Sequence, residues 1–347
     1  MTRRERLESV AGRVLLGLPA PLQRLLAGGR ATRLDGQTLD ADLQLALALA
    51  ARRGEPPLES LSPGEARRLM ARTARTFAGT PLPVARVEPL SIPGLAGPIP
   101  ARFYRPSLAG AQPLLVYFHG GGWVVGDLDV YDPVCRFLAR EAGVCVLSVD
   151  YRLAPEHRFP AAVDDAYSAF RFATEQARAL GVDPARVAIG GDSAGGNLTA
   201  VVAQLAARDG GVPPAFQLLF YPVTDLSTKH ASYRLFRDGF FLTEAQMDWY
   251  RGHYLPDEDA ALDPRASPLL AKELRGLAPA LVVTAGFDVL RDEGEAYAAR
   301  LREAGVPVTL RRHAGTIHGF CNVAPVSRTG RAYLTQAARD LRSALAA

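Results

Sequence analysis

A single serine lies within a cluster of small residues, GDSAGG at 191–196, directly behind an apolar run. A helical pattern follows the cluster at once, so a strand, a sharp turn and a helix are predicted in that order. Such a turn lifts the hydroxyl of Ser193 above the sheet edge, and small neighbours are needed because strand and helix approach closely there. The residue types therefore predict a nucleophile. The alternative, a glycine-rich loop that binds phosphate, is disfavoured because neither a GxGxxG nor a GxxxxGK[ST] spacing is present.

Three consecutive glycines follow an earlier apolar stretch, in HGGGW at 119–123. They leave backbone N–H groups bare of side chains, so these groups can point at one oxygen together with the N–H of Ala194, the residue after the candidate nucleophile. Each such donor typically stabilises a developing oxyanion by roughly 3 kcal/mol. The pattern predicts an oxyanion hole, with a flexible turn as the alternative. His119 is expected to orient its own loop rather than to transfer protons.

Two further stretches supply an acid and a base, each behind an apolar run. Asp288 stands at the predicted end of its strand and is preferred over Asp292, which falls a helical turn later. His318 is the best candidate base because it lies in a loop, whereas His313 belongs to the strand before that loop. The order Ser193, Asp288, His318 is the order found in hydrolases with a nucleophile at a strand-to-helix turn.

The elements that must position these residues alternate along the chain. Apolar strands are predicted at 114–118, 144–149, 186–190, 216–221, 281–286 and 308–313, and helices between them include 161–180, 194–208 and 291–304. Two more strands, between 84 and 106, form a hairpin. This alternation predicts an α/β fold, with a mostly parallel eight-stranded sheet covered by helices on both faces. Ligands of such sheets bind beyond the carboxyl ends of the strands, where the candidate motifs fall.

Two regions depart from the alternation of strands and helices. Residues 1–80 have a helical pattern, including a capping box at 62–65 that opens a helix running to about Gly79. Residues 225–265 carry helical texture and many aromatic side chains but no strand. We interpret this second region as an insertion into the sheet domain.

The motifs described so far, together with DYRLAPEHRFPAAVDD at 150–165, resemble the hormone-sensitive-lipase-like family of α/β-hydrolases, the bacterial family IV carboxylesterases. The resemblance runs from about residue 35 to the end of the chain. It implies the α/β-hydrolase fold. The family's catalytic triad falls on Ser193, Asp288 and His318. Its oxyanion hole falls on Gly121, Gly122 and Ala194.

The family also has a helical cap, built from N-terminal helices and from an insertion after the sixth strand. By this resemblance, residues 1–80 and 225–265 form the cap, while 81–224 and 266–347 form the two parts of the hydrolase core. The implied activity is hydrolysis of short- to medium-chain carboxylic esters through an acyl-enzyme, with no metal or organic cofactor.

Other functions remain as alternatives. An amidase or peptidase could use the same triad, although amines leave less readily than alcohols. A lipase acting at lipid surfaces would need an apolar lid, of which the sequence gives no strong sign. A non-enzymatic receptor of the gibberellin-binding type lacks the histidine that His318 supplies here.

The partner implied by the resemblance is a small-molecule ester, and composition argues against other classes of partner. The net charge of +4 over 347 residues comes without a dense Lys/Arg tract, which argues against nucleic-acid binding. No run of about 18 apolar residues is present, so no membrane span is expected, and no signal peptide is recognised. The three cysteines lack metal-site spacing and predict reduced thiols in a cytoplasmic protein. By family analogy, the C-terminal helix near 331–345 and the last strand could form the edge of a homodimer.

Overall fold

Eight strands form one sheet in the computed structural model, which describes residues 12–108 and 110–346. A separate two-stranded ribbon, β1 Arg33–Leu34 and β2 Gln37–Thr38, precedes this sheet. The strands of the large sheet are β3 Arg86–Gly94, β4 Gly97–Arg105, β5 Gln112–Phe118, β6 Cys145–Val149, β7 Val182–Asp192, β8 Gln217–Phe220, β9 Ala280–Phe287 and β10 Val308–Ile317.

The strand order across the large sheet is β10-β9-β8-β7-β5-β6-β4-β3. β4 pairs antiparallel with β3 and with β6, and the other neighbouring pairs are parallel. The predicted α/β fold with a mostly parallel, eight-stranded sheet is therefore confirmed. Because the parallel strands point the same way, their carboxyl ends share one edge of the sheet.

Helices pack on both faces of this sheet. The helices of the described chain are α1 Ala20–Leu26, α2 Ala41–Arg52, α3 Pro63–Phe77, α4 Asp132–Ala142, α5 Ala161–Glu175, α6 Ala194–Arg208, α7 Ala231–Leu235, α8 Glu244–Tyr254, α9 Arg291–Glu303, α10 Phe320–Val323 and α11 Arg328–Ala344. Residues 12–16 are also helical. Within the described ranges, none of the helices is long and apolar enough to cross a membrane.

The two faces of the sheet bury alternate side chains of β5. Leu114 and Val116 pack into a core with α5 and α6, whereas Leu115 and Tyr117 pack into a second core with α4 and α11. Successive side chains of a strand point to opposite faces, so a strand buried on both sides needs a continuous apolar run. This requirement explains the unbroken apolar pattern seen in the sequence.

Several predicted boundaries shift in the structure. The helix predicted to reach residue 180 ends at Glu175, because the chain turns through Gly181 (φ 65°) and the N–H of Val182 bonds back to Ala177. β7 correspondingly begins at Val182, before the predicted start at 186. β10 continues past the predicted end at 313 to Ile317.

The described residues of the two regions predicted to lie outside the alternation add no strand to the large sheet. Residues 12–80 form helices and the short β1–β2 ribbon, which the sequence analysis did not predict. The capping box is confirmed, because Ser62 Oγ accepts from the N–H of Glu65 and the Glu65 carboxylate accepts from the N–H of Ser62. Residues 1–11, where the predicted helical pattern begins, lie outside the described residues. Residues 225–265 form α7, α8 and a 3-10 turn.

The packing of α6 against β5 leaves no room for a side chain at the start of the helix. A Cβ built on Gly195 would overlap the carbonyl oxygen of Phe118. Gly252 in α8, by contrast, has no atom within 4 Å of such a Cβ. The two glycines therefore form a matched pair for a stability test.

We expect Gly195→Ala to lower the free energy of unfolding by about 3 kcal/mol, because strand or helix must move to admit the methyl group. Gly252→Ala is expected to be neutral or to stabilise by up to about 1 kcal/mol, because alanine favours the helix. Urea unfolding followed by circular dichroism measures both variants. Equal midpoints would contradict the close approach of α6 and β5.

Candidate active site

The candidate nucleophile lies at the carboxyl end of β7, in a turn with an unusual backbone. Ser193 has φ 55° and ψ −117°, a region that non-glycine residues rarely occupy. Its N–H donates to the carbonyl of Phe220 (2.9 Å), and its own carbonyl accepts from the N–H of Asn197 (3.0 Å). These bonds tie the turn to β8 and to the first turn of α6. The result is the strand–turn–helix arrangement that the sequence predicts.

The extension of β10 brings the candidate base to the candidate acid. The pairing of β10 with β9 shifts between His313 and Ile317, so that Ile317 stands opposite Phe287. The next residue on each strand is therefore a neighbour of the other. These two residues are His318 and Asp288.

A chain of hydrogen bonds joins the three predicted residues. His318 Nε2 lies 3.0 Å from Ser193 Oγ, and His318 Nδ1 lies 2.8 Å from Asp288 Oδ2. The carboxylate of Asp288 can only accept from Nδ1, so this proton sits on Nδ1 and leaves Nε2 free to accept from the hydroxyl. The other oxygen of Asp288 accepts from the N–H of Leu290 (2.9 Å).

The alternative acid, Asp292, does not reach the histidine. Its carboxylate accepts from the N–H of Ser232 (2.8 Å) and from Nε of Arg291 (2.8 Å). Asp292, in the first turn of α9, thus connects that helix to α7 of the insertion. His313 is not part of this series of hydrogen bonds. Its ring stacks instead on the ring of Tyr333, with centroids 3.9 Å apart.

The three predicted oxyanion donors are without acceptors. In the described part of the chain, no hydrogen bond runs from the N–H of Gly121, Gly122 or Ala194. The loop is folded by the carbonyl of Gly121, which accepts from the N–H groups of Val124 (3.1 Å) and Val125 (3.0 Å). Gly122 and Ala194 are buried and Gly121 is half-buried. Buried N–H groups are nearly always paired, so unpaired ones are candidates for binding a ligand oxygen.

Comparisons with known proteins agree with this geometry. The family described as "alpha/beta hydrolase fold" matches residues 115–322. A carboxylic ester hydrolase of Mycobacterium tuberculosis, LipN, is 51% identical over 321 residues, which cover 91% of this chain and 85% of that protein. An ethyl acetate hydrolase of Pseudomonas putida is 42% identical over 277 residues, covering 78% of this chain and 86% of that protein.

Solved structures give the same result. An ester hydrolase from the metagenome of Lake Arreo has a TM-score of 0.84 at 43% identity and covers 88% of this chain and 97% of its own. An esterase of Pyrobaculum calidifontis has a TM-score of 0.82 at 40% identity, with 88% and 98% covered. The chain belongs to the hormone-sensitive-lipase-like family of α/β-hydrolases. The family expected from the motifs is thereby confirmed.

The hydrolase carries a buried carboxylate beneath the nucleophile that sequence analysis did not single out. Asp192 is 1% exposed and accepts from Tyr117 Oη (2.8 Å), Tyr131 Oη (3.2 Å) and the N–H of Gly120 (2.9 Å). Burial raises the pKa of Asp192 to about 6, against the hydrogen bonds that favour its ionised form. The bond to Gly120 joins the nucleophile turn to the oxyanion loop. The sequence did offer one sign of this role: Asp192 ends a buried strand, and a buried carboxylate needs hydrogen-bond donors around it.

A second buried acid of the hydrolase, Glu293, lies in the first turn of α9. Glu293 accepts from the N–H of Thr224 (2.7 Å), and its other carboxyl oxygen has no partner among the described residues. Burial raises the pKa of Glu293 well above its usual range, with Asp225 and Asp288 adding to the shift. Glu293 thus links the first turn of α9 to the segment that precedes the insertion. Nothing in its local sequence pattern indicated burial.

Within the described ranges, the hydrolase presents no group of three His, Cys, Asp or Glu side chains that could hold a metal ion. Its cysteines Cys135, Cys145 and Cys321 are buried and unpaired with one another.

His119 anchors the oxyanion loop by packing, in keeping with the role predicted for it. Its ring stacks on Tyr151 (centroids 4.3 Å apart), and Nδ1 lies 2.7 Å from the carbonyl of Gly120. The ring is fully buried, and burial lowers the pKa of His119 to about 4. The histidine is therefore neutral in the fold under ordinary conditions.

This burial predicts a pH dependence of stability. The folded-state pKa lies below the ordinary value of about 6.5, so the contribution of His119 is complete above pH 6.5 and is lost as pH falls toward 4. Over that window we expect wild type to lose about 3 kcal/mol of unfolding free energy that His119→Gln does not lose. Urea midpoints from pH 4 to 8 test the difference in slope. His313 is common to both proteins, so parallel slopes would contradict the assignment.

Proposed function

We propose that the protein is a serine carboxylesterase that hydrolyses short- to medium-chain esters through an acyl-enzyme. The observation that carries the proposal is the hydrogen-bonded series Ser193, His318 and Asp288 beside three N–H groups without acceptors. This is the arrangement needed to attack an ester carbonyl and to stabilise the oxyanion that results. Ester hydrolysis is also the activity in the names of relatives 51% and 42% identical to this chain.

In the acylation step, Ser193 Oγ attacks the ester carbonyl as His318 Nε2 takes its proton. Asp288 holds the histidine tautomer and stabilises the imidazolium that forms. His318 then gives the proton to the leaving alcohol, and Ser193 remains acylated. Water repeats the sequence and releases the acid. Proton and bond changes balance over the two steps, and the reaction needs no cofactor.

The oxyanion forms where the carbonyl oxygen of the ester lies. The N–H groups of Gly121, Gly122 and Ala194 are the proposed donors. Ala194 opens α6, so the positive end of the helix dipole acts at the same point. Because the donors are fixed before substrate binds, little reorganisation is needed in the transition state.

We propose that residues 1–80 and 225–265 cover the site as a cap on the core formed by 81–224 and 266–347. Two contacts support this division. Arg67 in α3 donates to the carbonyls of Val124 and Ala154 (both 2.8 Å), beside the oxyanion loop. The ring of Tyr250 in α8 lies directly against Gly122. Helices that close on the loops leave room for small acyl groups, and one relative is named for ethyl acetate.

We also propose that the protein is a homodimer and that it is located in the cytoplasm. The three cysteines are buried and unpaired, as is usual in reducing compartments. β10 is an edge strand of the sheet, and α11 packs beside it, where the dimer edge is expected. Light scattering on the purified chain measures its mass.

The first test compares wild type with Ser193→Ala on p-nitrophenyl esters whose acyl chains run from two to sixteen carbons. We expect a maximum at about four to eight carbons and a loss of at least about a thousandfold in the variant, because the nucleophile is gone. Retained activity in Ser193→Ala would exclude the triad. An inert wild type would favour an amidase or a binding protein, and amide substrates would then be tested.

A second test separates the two acidic candidates. Asp288→Asn is expected to lower kcat by about ten-thousandfold, because the amide favours the wrong histidine tautomer. Asp292→Asn should change kcat by less than about tenfold, because Asp292 bonds to α7 rather than to His318. Steady-state kinetics on the best p-nitrophenyl ester gives both values. Equal losses in the two variants would contradict the assignment of Asp288.

A further inference from the structure

One residue of the insertion combines backbone strain with an exposed aromatic ring. Phe241 has φ 77°, and the N–H of Leu242 bonds to the carbonyl of Phe240 (3.1 Å), which defines a γ-turn of the rare form with positive φ at its centre. A bulky residue in this conformation is an outlier. The side chain of Phe241 is also 54% exposed.

The γ-turn sends two successive rings to two different loops of the site. Phe240 packs on Phe287, the residue before Asp288, with ring centroids 5.0 Å apart. The ring of Phe241 lies instead against Gly319, the residue after His318, where a Cβ on the glycine would come within 2.9 Å of it. Phe241 thus stands beside the base, with much of its ring uncovered.

Neither feature of Phe241 serves the stability of the fold. A positive φ costs free energy at a residue with a Cβ, and an exposed apolar ring gains little from burial. Strain that persists in a folded protein is typical of ligand-binding positions, where another requirement fixes the conformation. The uncovered part of the ring is therefore best explained by a group that binds against it.

The chemistry of the triad indicates which part of an ester would bind against the ring of Phe241. The carbonyl oxygen must face the N–H groups of the oxyanion loop, on the side of the site where Tyr250 contacts Gly122. The leaving oxygen must face His318 Nε2, which protonates it. A ring against Gly319, the residue that follows His318, therefore lies on the side of the leaving alcohol.

We propose that Phe241 forms the apolar wall of the alcohol subsite and selects esters of aryl and other bulky apolar alcohols. This inference rests on the proposed esterase function. A ring that stacks on an aryl alcohol adds an interaction that a methyl or ethyl alcohol cannot make. The acyl group of the ester binds elsewhere and does not contact Phe241.

The first experiment measures kcat/KM for phenyl, benzyl, ethyl and methyl acetate with wild type and Phe241→Ala. We expect the preference for the aromatic over the small alcohols to fall by about fivefold to tenfold in the variant. The acyl-chain profile on p-nitrophenyl esters should keep its shape, because the alcohol is constant in that series. Leu262→Ala is the matched control, since it removes a side chain of the same insertion that is 62% exposed.

A second readout isolates the alcohol from acylation. Wild type and variant are acetylated with p-nitrophenyl acetate, and benzyl alcohol or methanol is added to compete with water for the same acyl-enzyme. Transfer to benzyl alcohol should fall about fivefold in Phe241→Ala, while transfer to methanol is unchanged. A merely structural role would lower both transfers together.

Phe241→Gly provides a stability comparison. Glycine adopts a φ of 77° freely, so this variant should unfold at a higher temperature than Phe241→Ala while losing the same alcohol preference. An active wild type whose alcohol preference is unchanged in both variants would overturn the role of Phe241 alone. A wild type inert toward all esters would overturn the esterase function and this inference together.

Discussion

The site depends on a turn that the backbone would not adopt on its own. The conformation of Ser193 costs an ordinary residue about 1–3 kcal/mol and persists only where its surroundings impose it. Here β8 holds the N–H of Ser193, and the buried carboxylate of Asp192 is held by tyrosine hydroxyls and by the oxyanion loop. Asp192 and Ser193 therefore fix the direction of the proposed nucleophile and the position of the loop that carries the proposed oxyanion donors.

Buried or half-buried carboxylates recur around this turn, and each connects two segments of the chain. The buried Asp192 joins the nucleophile turn to Gly120. In the first turn of α9, the half-buried Asp292 bonds to α7 and the buried Glu293 bonds to the segment after β8. A buried charged or polar group is costly unless its partners are in place. The loops consequently hold one another in a single arrangement, which is what a preorganised site requires.

The sequence was sufficient to predict the eight strands of the large sheet, although not the β1–β2 ribbon or every element boundary. Parallel strands converge at one edge, so Asp288 and His318 could be predicted to meet although 30 positions separate them. The partners of Asp192 could not be predicted, because Tyr117 and Tyr131 reach it through the register of β5 and the start of α4. Phe241 could not be singled out from the sequence either, because an aromatic residue in an insertion more often serves packing. Its γ-turn, its exposure and its contact with Gly319 distinguish it from Phe240 in the structure.

The insertion contacts the three loops that carry the proposed oxyanion donors, the acid and the base. Tyr250 contacts Gly122 in the loop of the proposed oxyanion donors. Ser232 Oγ donates to the carbonyl of Val289, next to Asp288, and Phe241 contacts Gly319, next to His318. An element connected in this way is not an interchangeable module. A chimera that received the insertion of another hydrolase would change its turnover along with its selectivity, unless the contacting residues of the core were exchanged as well. Directed evolution of such proteins therefore has to treat the insertion and the three loops as one unit of inheritance.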